Sequence, residues 1–308
     1  MSHWMPDSKI TALRSRIPAL VDAISIHPLE GGLTNTSYRI DTKSNRYVMR
    51  ICNEAGRLLG IRRDHERTNS QRAYEAGVGP EVIDALPDEN VLVLKWIEAS
   101  TLQAKDFQSQ PGLLERIAVA LRILHQGPAF EGIFNFPSIR RGYLNTVLDN
   151  EYFLPDQYLA LESLIMKLEN AIAVSPENIV PCNNDLLAEN FLDDGKKIWI
   201  IDYEYAGQNE ASFEIGNLAS ESSLNEQQLT ELCDSYWQQH LPAKIARAKA
   251  WSVIARFGWV CWASIQEAIS PLDFDFRAWG MRKWNSVLPE LEGSNYRSLV
   301  ENLMHQEP

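Results

Sequence analysis

The sequence predicts an α+β protein with two lobes, an N-terminal lobe built on an antiparallel sheet and a larger, mostly helical C-terminal lobe. Three observations support this prediction. The chain has 308 residues, whereas a single domain usually has about 100–200. The first part of the chain is rich in β-like runs, and the remainder has mainly helical apolar spacing. We therefore expect lobes at residues 1–97 and 98–308.

The elements follow from runs of apolar residues and from helix stop signals. Strands of the first lobe are predicted at 24–30, 36–41, 46–52, 81–85 and 91–97. Helices of the first lobe are predicted at 8–22 and 58–77. The second helix is expected to end at Gly77 and Gly79-Pro80, which do not continue a helix. The second lobe is predicted to have helices at 112–126 and 156–174, a short β-rich insert at 189–202, and helices from 212 to 304.

Composition and charge narrow the class of protein. The hydrophobic fraction of 45% is ordinary for a globular chain and argues against disorder. The net charge of −12 argues against a general nucleic-acid binder, because an acidic surface repels phosphate backbones, and it suits a small cationic substrate. The chain lacks an apolar run of the roughly 18 residues that a membrane helix needs, and its N-terminus lacks a signal-peptide pattern. We therefore expect a cytoplasmic protein without a membrane partner.

The chain has four cysteines, which are far apart in sequence: Cys52, Cys182, Cys233 and Cys261. None belongs to a CxxC pair, so the sequence suggests neither a zinc site nor a disulfide framework. We expect buried free thiols.

The most informative segment is a cluster of polar residues at 181–207. Asp185 is followed by Asn190, and an apolar run at 198–201 leads directly to Asp202. The Asp-Asp-Gly sequence at 193–195 predicts a hairpin turn, which would bring Asn190 and Asp202 close together.

These residue types suit phosphoryl transfer. A carboxamide and a carboxylate together suit Mg²⁺, a hard cation that prefers oxygen ligands. Asp185 would then accept a hydroxyl proton, and such transfer depends mainly on positioning and on charge neutralisation. The simpler alternative is that these Asp and Asn side chains only cap the turns of a hairpin.

The segment resembles the catalytic and metal-binding loops of protein-kinase-like small-molecule kinases, and among them the choline/ethanolamine kinases. Their second loop reads I-D-[WF]-E-Y, and residues 201–205 here read I-D-Y-E-Y. The resemblance implies a bilobal protein-kinase-like fold, Asp185 as catalytic base, and Asn190 and Asp202 as Mg²⁺ ligands. One position departs from the family, because Asn183 stands where His is usual. Asn also donates and accepts hydrogen bonds, so we expect activity to survive, although the change leaves an inactive relative open.

The glycine-containing loop at 29–35 lies between the first two predicted strands. Glycines let the backbone approach a phosphate closely, although a plain hairpin turn is the commoner explanation. The resemblance, to a G-G-x-[ST]-N loop, implies that the phosphates of ATP contact Gly31, Gly32, Thr34 and Asn35.

A cation, Arg50, stands in the apolar run at 47–51, where an edge-strand surface charge is the alternative. The resemblance implies that Arg50 holds the nucleotide phosphates and that Glu66, on the following helix, is its partner. It also implies that the segment from Trp96 to Glu98 is the hinge that contacts the base. These residues do not separate ATP from GTP.

The predicted back lobe contains a segment similar to the family's F-D-[IL]-G-N helix. Glu214, Asn217 and Glu221 have i, i+3 and i+7 spacing and so share one helix face. The resemblance places a substrate-facing acid at Glu221. A solvated acidic face is the alternative.

Trp251, Trp259 and Trp262 also share one face of a predicted helix, and a tryptophan stripe is usually core packing. Here, however, the stripe resembles the F-W-x-x-W-S-I-x-Q segment that lines the choline site, with a glycine inserted after Phe257. A quaternary ammonium cannot donate hydrogen bonds and is recognised by aromatic faces and nearby carboxylates. The resemblance therefore implies that five residues bind substrate: Glu204, Tyr205, Glu221, Trp259 and Trp262.

Together these features predict an ATP- and Mg²⁺-dependent kinase that phosphorylates choline. A kinase for ethanolamine, thiamine or an amino sugar would share the same machinery, and a non-catalytic pseudokinase is a further alternative. A protein kinase is disfavoured, since the sequence lacks the D-F-G and A-P-E motifs. The oligomeric state stays open.

Overall fold

A computed structural model of the chain describes residues 7–29, 32, 34–52 and 59–304. Its N-terminal part is a five-stranded antiparallel sheet with strand order β1-β2-β3-β5-β4. The strands are β1 Ala23–Leu29, β2 Asn35–Thr42, β3 Arg46–Cys52, β4 Val82–Leu86 and β5 Val91–Lys95. β3 is central, and Arg50 on it pairs with Ser37 of β2 and Leu92 of β5. The five strands predicted for this lobe are confirmed.

Two helices flank this sheet. Helix α1 (Asp7–Ser15) is shorter than the predicted span of 8–22, because a 3₁₀ turn at Pro18–Leu20 follows it. Pro18 has no N–H to donate to a continuing helix. Helix α2 (Arg63–Ala76) ends at Gly77, whose φ of 89° is left-handed and favours glycine. This predicted stop signal is confirmed.

The rest of the chain is mainly helical. The helices are α3 Ala104–Ser109, α4 Leu113–His125, α5 Phe136–Asp149, α6 Tyr158–Ala173, α7 Ala211–Glu221, α8 Glu226–Trp237, α9 Pro242–Ile269, α10 Phe276–Glu292 and α11 Asn295–Met304. The 28-residue helix α9 is central and packs against α5, α6, α7, α8, α10 and α11. The predicted α+β class, with the antiparallel sheet first and the helices after it, is confirmed.

Helix α5 is absent from the sequence-based prediction. Its segment contains proline and glycine, which lower helix propensity, and its buried face includes the charged residue Arg140. The helix forms because Asn135 caps its N-terminus by accepting the N–H of Ser138. Arg140 is fully buried and is neutralised by Glu162 and Glu169 of α6.

Two small sheets position the loops between α6 and α7. Strand β7 (Ile179–Cys182) pairs antiparallel with β10 (Gly207–Glu210). The hairpin β8 (Phe191–Asp193) and β9 (Ile198–Ile200) pairs with the short strand β6 (Ser100–Thr101). The predicted β-rich insert is therefore confirmed, and its hairpin has the expected turn.

The connection between β5 and β6 contains residues 96–99. The lobe boundary between residues 97 and 98 stays a prediction. All four cysteines are buried and free. In the described part of the chain, none of the helices has the length and apolar character needed to span a membrane.

The tight packing of α7 on α9 predicts the effect of adding one methyl group. A Cβ at Gly216 would clash with the carbonyl oxygen of Ala248 and lie 2.9 Å from the amide nitrogen of Ser252. We expect Gly216→Ala to lower the free energy of unfolding by about 1–3 kcal/mol, as overpacking does. Urea unfolding measures this change.

Gly142 on α5 is the matched control, since a Cβ there meets nothing within 4 Å. Gly142→Ala should leave stability unchanged or raise it by up to about 1 kcal/mol, because alanine favours the helix. Equal effects of the two substitutions would contradict the packing argument.

Candidate active site

The loop that carries Asp185 begins where β7 ends. Asn183 and Asn184 are fully buried, and Asn184 has a left-handed φ of 66°, which asparagine tolerates better than most residues. Their two backbone N–H groups both donate to Oε1 of Glu214, at 2.6 Å and 2.9 Å. One carboxylate oxygen on α7 therefore fixes the start of this loop.

The other carboxylate oxygen of Glu214 bonds to Nε2 of His125, at the end of α4. Nδ1 of the same ring lies 2.7 Å from the Tyr236 hydroxyl. The Sγ atom of Cys182 completes a buried His, Cys and Glu cluster whose members bond to one another. This network anchors the loop, and its histidine was not predicted, because its partner lies far away in sequence.

Asn183, where the family usually has His, joins the two predicted catalytic loops. Its Nδ2 donates to the carbonyl oxygens of Ile201, at 3.2 Å, and of Asp202, at 2.8 Å. Its Oδ1 accepts the backbone N–H of Asp185 at 3.1 Å. Asparagine thus supplies the supporting contacts between the segments that carry Asp185 and Asp202.

Asn190 lies beside the same two segments. Its Nδ2 donates to the backbone carbonyl oxygen of Asp185 at 2.6 Å, and its own backbone carbonyl oxygen accepts the N–H of Ile201 at 2.9 Å. The β8–β9 hairpin brings the two segments into register. The expected convergence of Asp185, Asn190 and Asp202 is therefore present in the structure, while their roles stay predictions.

Arg50 reaches across from β3 to this convergence. Its Nη2 lies 2.6 Å from Asp202 and 3.1 Å from Glu204, and its Nη1 lies 3.4 Å from Glu66 on α2. Asp202 has a left-handed φ of 63°. Burial raises the pKa of Asp202 to about 6 despite the opposing charge of Arg50. The predicted pair of Arg50 and Glu66 is thus part of a larger ion network.

Glu204, predicted to bind substrate, lies in this network. It accepts hydrogen bonds from Thr34 at 2.7 Å and from Asn35 at 2.8 Å, in addition to the N–H groups of Arg50 and Arg63, both at 3.1 Å. Burial raises the pKa of Glu204, but the charges of Arg50 and Arg63 and the hydrogen bonds from Thr34 and Asn35 together hold the pKa below its ordinary value. Its contacts point to the glycine-containing loop rather than to the tryptophans, and its substrate role stays a prediction.

Arg63 was not predicted. Its Nη1 also lies 2.6 Å from Glu66, at i, i+3 spacing on α2. That spacing is a signal that sequence analysis could have used.

The other residues predicted to contact the nucleotide are Gly31, Gly32, Trp96 and Glu98. A Cβ at Gly32 would lie 2.7 Å from the carbonyl oxygen of Asn35, so this close approach favours glycine. The backbone N–H of Trp96 donates to Arg46, and exposed Glu98 forms an ion pair with the same arginine. Gly31 lies outside the described residues. The nucleotide contacts assigned to these residues stay predictions.

The tryptophan stripe is confirmed as one buried face of α9. The indole N–H of Trp259 donates to Asn217 at 2.8 Å, and that of Trp262 donates to the Tyr205 hydroxyl at 3.0 Å. The two rings are perpendicular, with centroids 6.4 Å apart. Trp251 instead donates to Glu210. Trp259 and Trp262 also belong to the hydrophobic core, so core packing and substrate contact both stay open for them.

Glu221, predicted to face substrate, is paired. Both of its carboxylate oxygens lie 2.6 Å from Nζ of Lys283 on α10. This lysine was not predicted. The ammonium group also lies 4.1 Å from the ring centroid of Trp279.

Several of these charged groups shift the pKa of Asp185. Burial raises its pKa well above the ordinary value, and the negative charges of Asp202, Glu204 and Glu221 raise it further, whereas Lys283 lowers it. The pKa of Asp185 is thus raised by carboxylates of the arginine network and lowered by the lysine of a buried ion pair.

The chain is similar to several known proteins. The choline/ethanolamine kinase family profile matches residues 26–240. Protein LicA of Haemophilus influenzae is 27% identical over 216 residues, which are 68% of this chain and 62% of that protein. The match thus spans less than two thirds of that relative's own length.

Two solved structures are similar over nearly the whole chain. A choline/ethanolamine kinase family protein from Mesorhizobium loti is 28% identical, with a TM-score of 0.87 over 98% of this chain and 100% of that chain. Choline kinase LicA from Streptococcus pneumoniae is 21% identical, with a TM-score of 0.79 over 92% of this chain and 99% of that chain. At this lower identity the likeness shows the fold alone.

The contacts of Glu214 predict the behaviour of the loop that it fixes. Glu214→Ala should speed hydrogen exchange of the Asn183 and Asn184 amides by about tenfold or more, because hydrogen bonds to a charged group contribute about 1.5–3 kcal/mol each. Hydrogen–deuterium exchange with mass spectrometry of a peptide that contains residues 183–184 measures this rate. Glu189→Ala, which changes an exposed carboxylate of the same loop, is the control. Unchanged protection in Glu214→Ala would mean that other contacts hold the loop.

Proposed function

The chain belongs to the choline/ethanolamine kinase family, and from this premise we propose that it transfers the γ-phosphoryl group of ATP to the hydroxyl of choline. The products are phosphocholine and ADP. One observation carries the proposal: Asn183 ties the segment of Asp185 to the segment of Asp202, which contacts Arg50 of the sheet. A proton acceptor, a carboxylate ligand and a phosphate-binding cation are thereby held together.

The nucleotide lies on the sheet side of the site in this proposal. Arg50 carries a planar fork of N–H donors that suits phosphate oxygens. Gly32 leaves room for the carbonyl oxygen of Asn35, and Thr34 and Asn35 donate hydrogen bonds to Glu204. These contacts support a role for the glycine-containing loop in positioning the phosphates over Asp202.

Mg²⁺ fits the donor atoms of Asn190 and Asp202. Asn190 donates a hydrogen bond from Nδ2 to the backbone carbonyl oxygen of Asp185. Its side-chain amide oxygen therefore remains available as a metal ligand. Asp202 adds a carboxylate, so the pair offers only oxygen, as a hard cation prefers. When bound, Mg²⁺ neutralises negative charge on the phosphates.

Asp185 acts as the proton acceptor. Burial and three neighbouring carboxylates raise its pKa, so it takes a proton more readily than an exposed aspartate. Its carboxylate orients the alcohol oxygen, which bonds to the γ-phosphorus while the bond to the ADP oxygen breaks, and the hydroxyl proton passes to Asp185. The side chain of Asn183 accepts a hydrogen bond from the backbone N–H of Asp185 and so positions Asp185.

The alcohol's cationic end lies on the other side of Asp185, near Tyr205 and Trp262. The indole N–H of Trp262 donates a hydrogen bond to the hydroxyl of Tyr205. Both side chains are aromatic, and aromatic faces attract a quaternary ammonium. Ethanolamine remains the alternative substrate, since the family includes kinases for both alcohols.

Asp185→Asn tests the proposed proton acceptor. The amide cannot take the hydroxyl proton, so we expect kcat to fall by about 10²–10⁴-fold while ATP binding remains. Coupled measurement of ADP release with choline, with and without EDTA, checks this. Asp149→Asn, at an exposed helix end, should leave kcat unchanged. A variant of Asp185 with wild-type turnover would remove the residue from the mechanism.

Trp262→Leu tests the aromatic contact. Loss of a desolvated cation–π contact of about 2 kcal/mol should raise the KM for choline by roughly 30-fold. Trp284→Leu is the matched control, because Trp284 is equally buried but stacks on Tyr158. If both variants lose stability and neither changes the KM for choline, the stripe is core packing only.

A further inference from the structure

Lys283 forms a buried ion pair beside the proposed alcohol site. Its side chain on α10 is 10% exposed, and that of Glu221 on α7 is 5% exposed. The ammonium lies 2.6 Å from both carboxylate oxygens. Burial lowers the pKa of Lys283, and the charge of Glu221 opposes this. A buried lysine is costly unless it is paired, so both oxygens of Glu221 are committed to an internal cation.

The same ammonium contacts an aromatic group that leads to the alcohol site. It lies 4.1 Å from the centroid of Trp279, whose ring centroid is 5.3 Å from that of Trp262. Trp262 in turn bonds to Tyr205. The carboxylate of Glu221, next to the proposed alcohol site, is therefore already bound by the ammonium group of Lys283.

Primary and quaternary ammonium groups need different surroundings. A primary ammonium donates three hydrogen bonds and loses affinity when buried without acceptors. A quaternary ammonium donates none and is held by aromatic faces. A carboxylate whose oxygens both contact lysine is a poorer acceptor for the first group, whereas the second group has no hydrogen bond to donate to it.

We propose that Lys283 is a specificity-determining residue: by binding both oxygens of Glu221, it withdraws the acceptor that a primary ammonium alcohol needs and so favours a quaternary one. This inference rests on the proposed function. It assigns the preference for choline over ethanolamine to an ion pair between α7 and α10, in addition to the tryptophans.

Lys283→Met tests the inference. Release of Glu221 should lower the ratio of kcat/KM for choline to kcat/KM for ethanolamine by about tenfold or more, mainly through a lower KM for ethanolamine. Lys283→Arg keeps the charge and should keep the wild-type ratio. Lys249→Met, at the Lys249–Glu290 pair, is a control that removes a lysine from elsewhere on the helical lobe.

Two further variants keep the test decisive. Lys283→Gln retains one hydrogen bond to Glu221 without the charge and should shift the ratio in the same direction, even if the methionine variant fails to fold. The double variant Lys283→Met with Glu221→Gln removes the charged acceptor, so the gain for ethanolamine should disappear.

The outcomes separate this inference from the proposed function. An unchanged ratio in both Lys283→Met and Lys283→Gln would overturn it, and so would a shift that persists in the double variant. If wild-type protein with ATP and Mg²⁺ phosphorylates neither alcohol, the proposed function itself fails.

Discussion

The arrangement of the site depends on the charge balance around Arg50. This buried guanidinium from the sheet contacts Asp202 and Glu204, which both follow β9, and Glu66 on α2. A buried charge without partners would cost several kcal/mol, so each group requires the others to be in place. Through β3 and α2, the network therefore fixes the position of the sheet relative to the loop that follows β9.

A second buried carboxylate, Glu214, has the corresponding role inside the helical part. It bonds to two loop amides and to His125 at once. Asn183 then joins the anchored loop to Asp202, so the two carboxylate networks are connected through a single side chain. This connection explains how a chain without the family's usual histidine keeps Asp185 and Asp202 in register.

The sequence was sufficient where local signals exist. Strands β1 to β5 follow from short apolar runs, and Gly77 follows from the backbone angle that it needs. The turn at 193–195 predicted that Asn190 and Asp202 converge, and the pairing of β8 with β9 forms that hairpin. Each of these features is determined within a few residues of chain.

Features that depend on distant partners were not predictable in this way. Helix α5 has apolar residues at helical spacing, but the burial of Arg140 on the same face depends on Glu162 and Glu169 of α6. Glu214 and His125 lie 89 residues apart, and Glu221 and Lys283 lie 62 apart. No local pattern reveals which acid a buried cation will meet. The contacts of Glu204 likewise come from residues about 140 or more positions away.

These buried pairs make the proton affinity of Asp185 a property of the whole site. The carboxylates of the arginine network raise its pKa from one side, while Lys283 lowers the same pKa from the other. A cationic alcohol bound next to Asp185 would act in the same direction as Lys283, because any nearby positive charge favours the carboxylate form. The residue would then be ionised most readily when its substrate is present, so the charge that the aromatic groups recognise also prepares the proton acceptor.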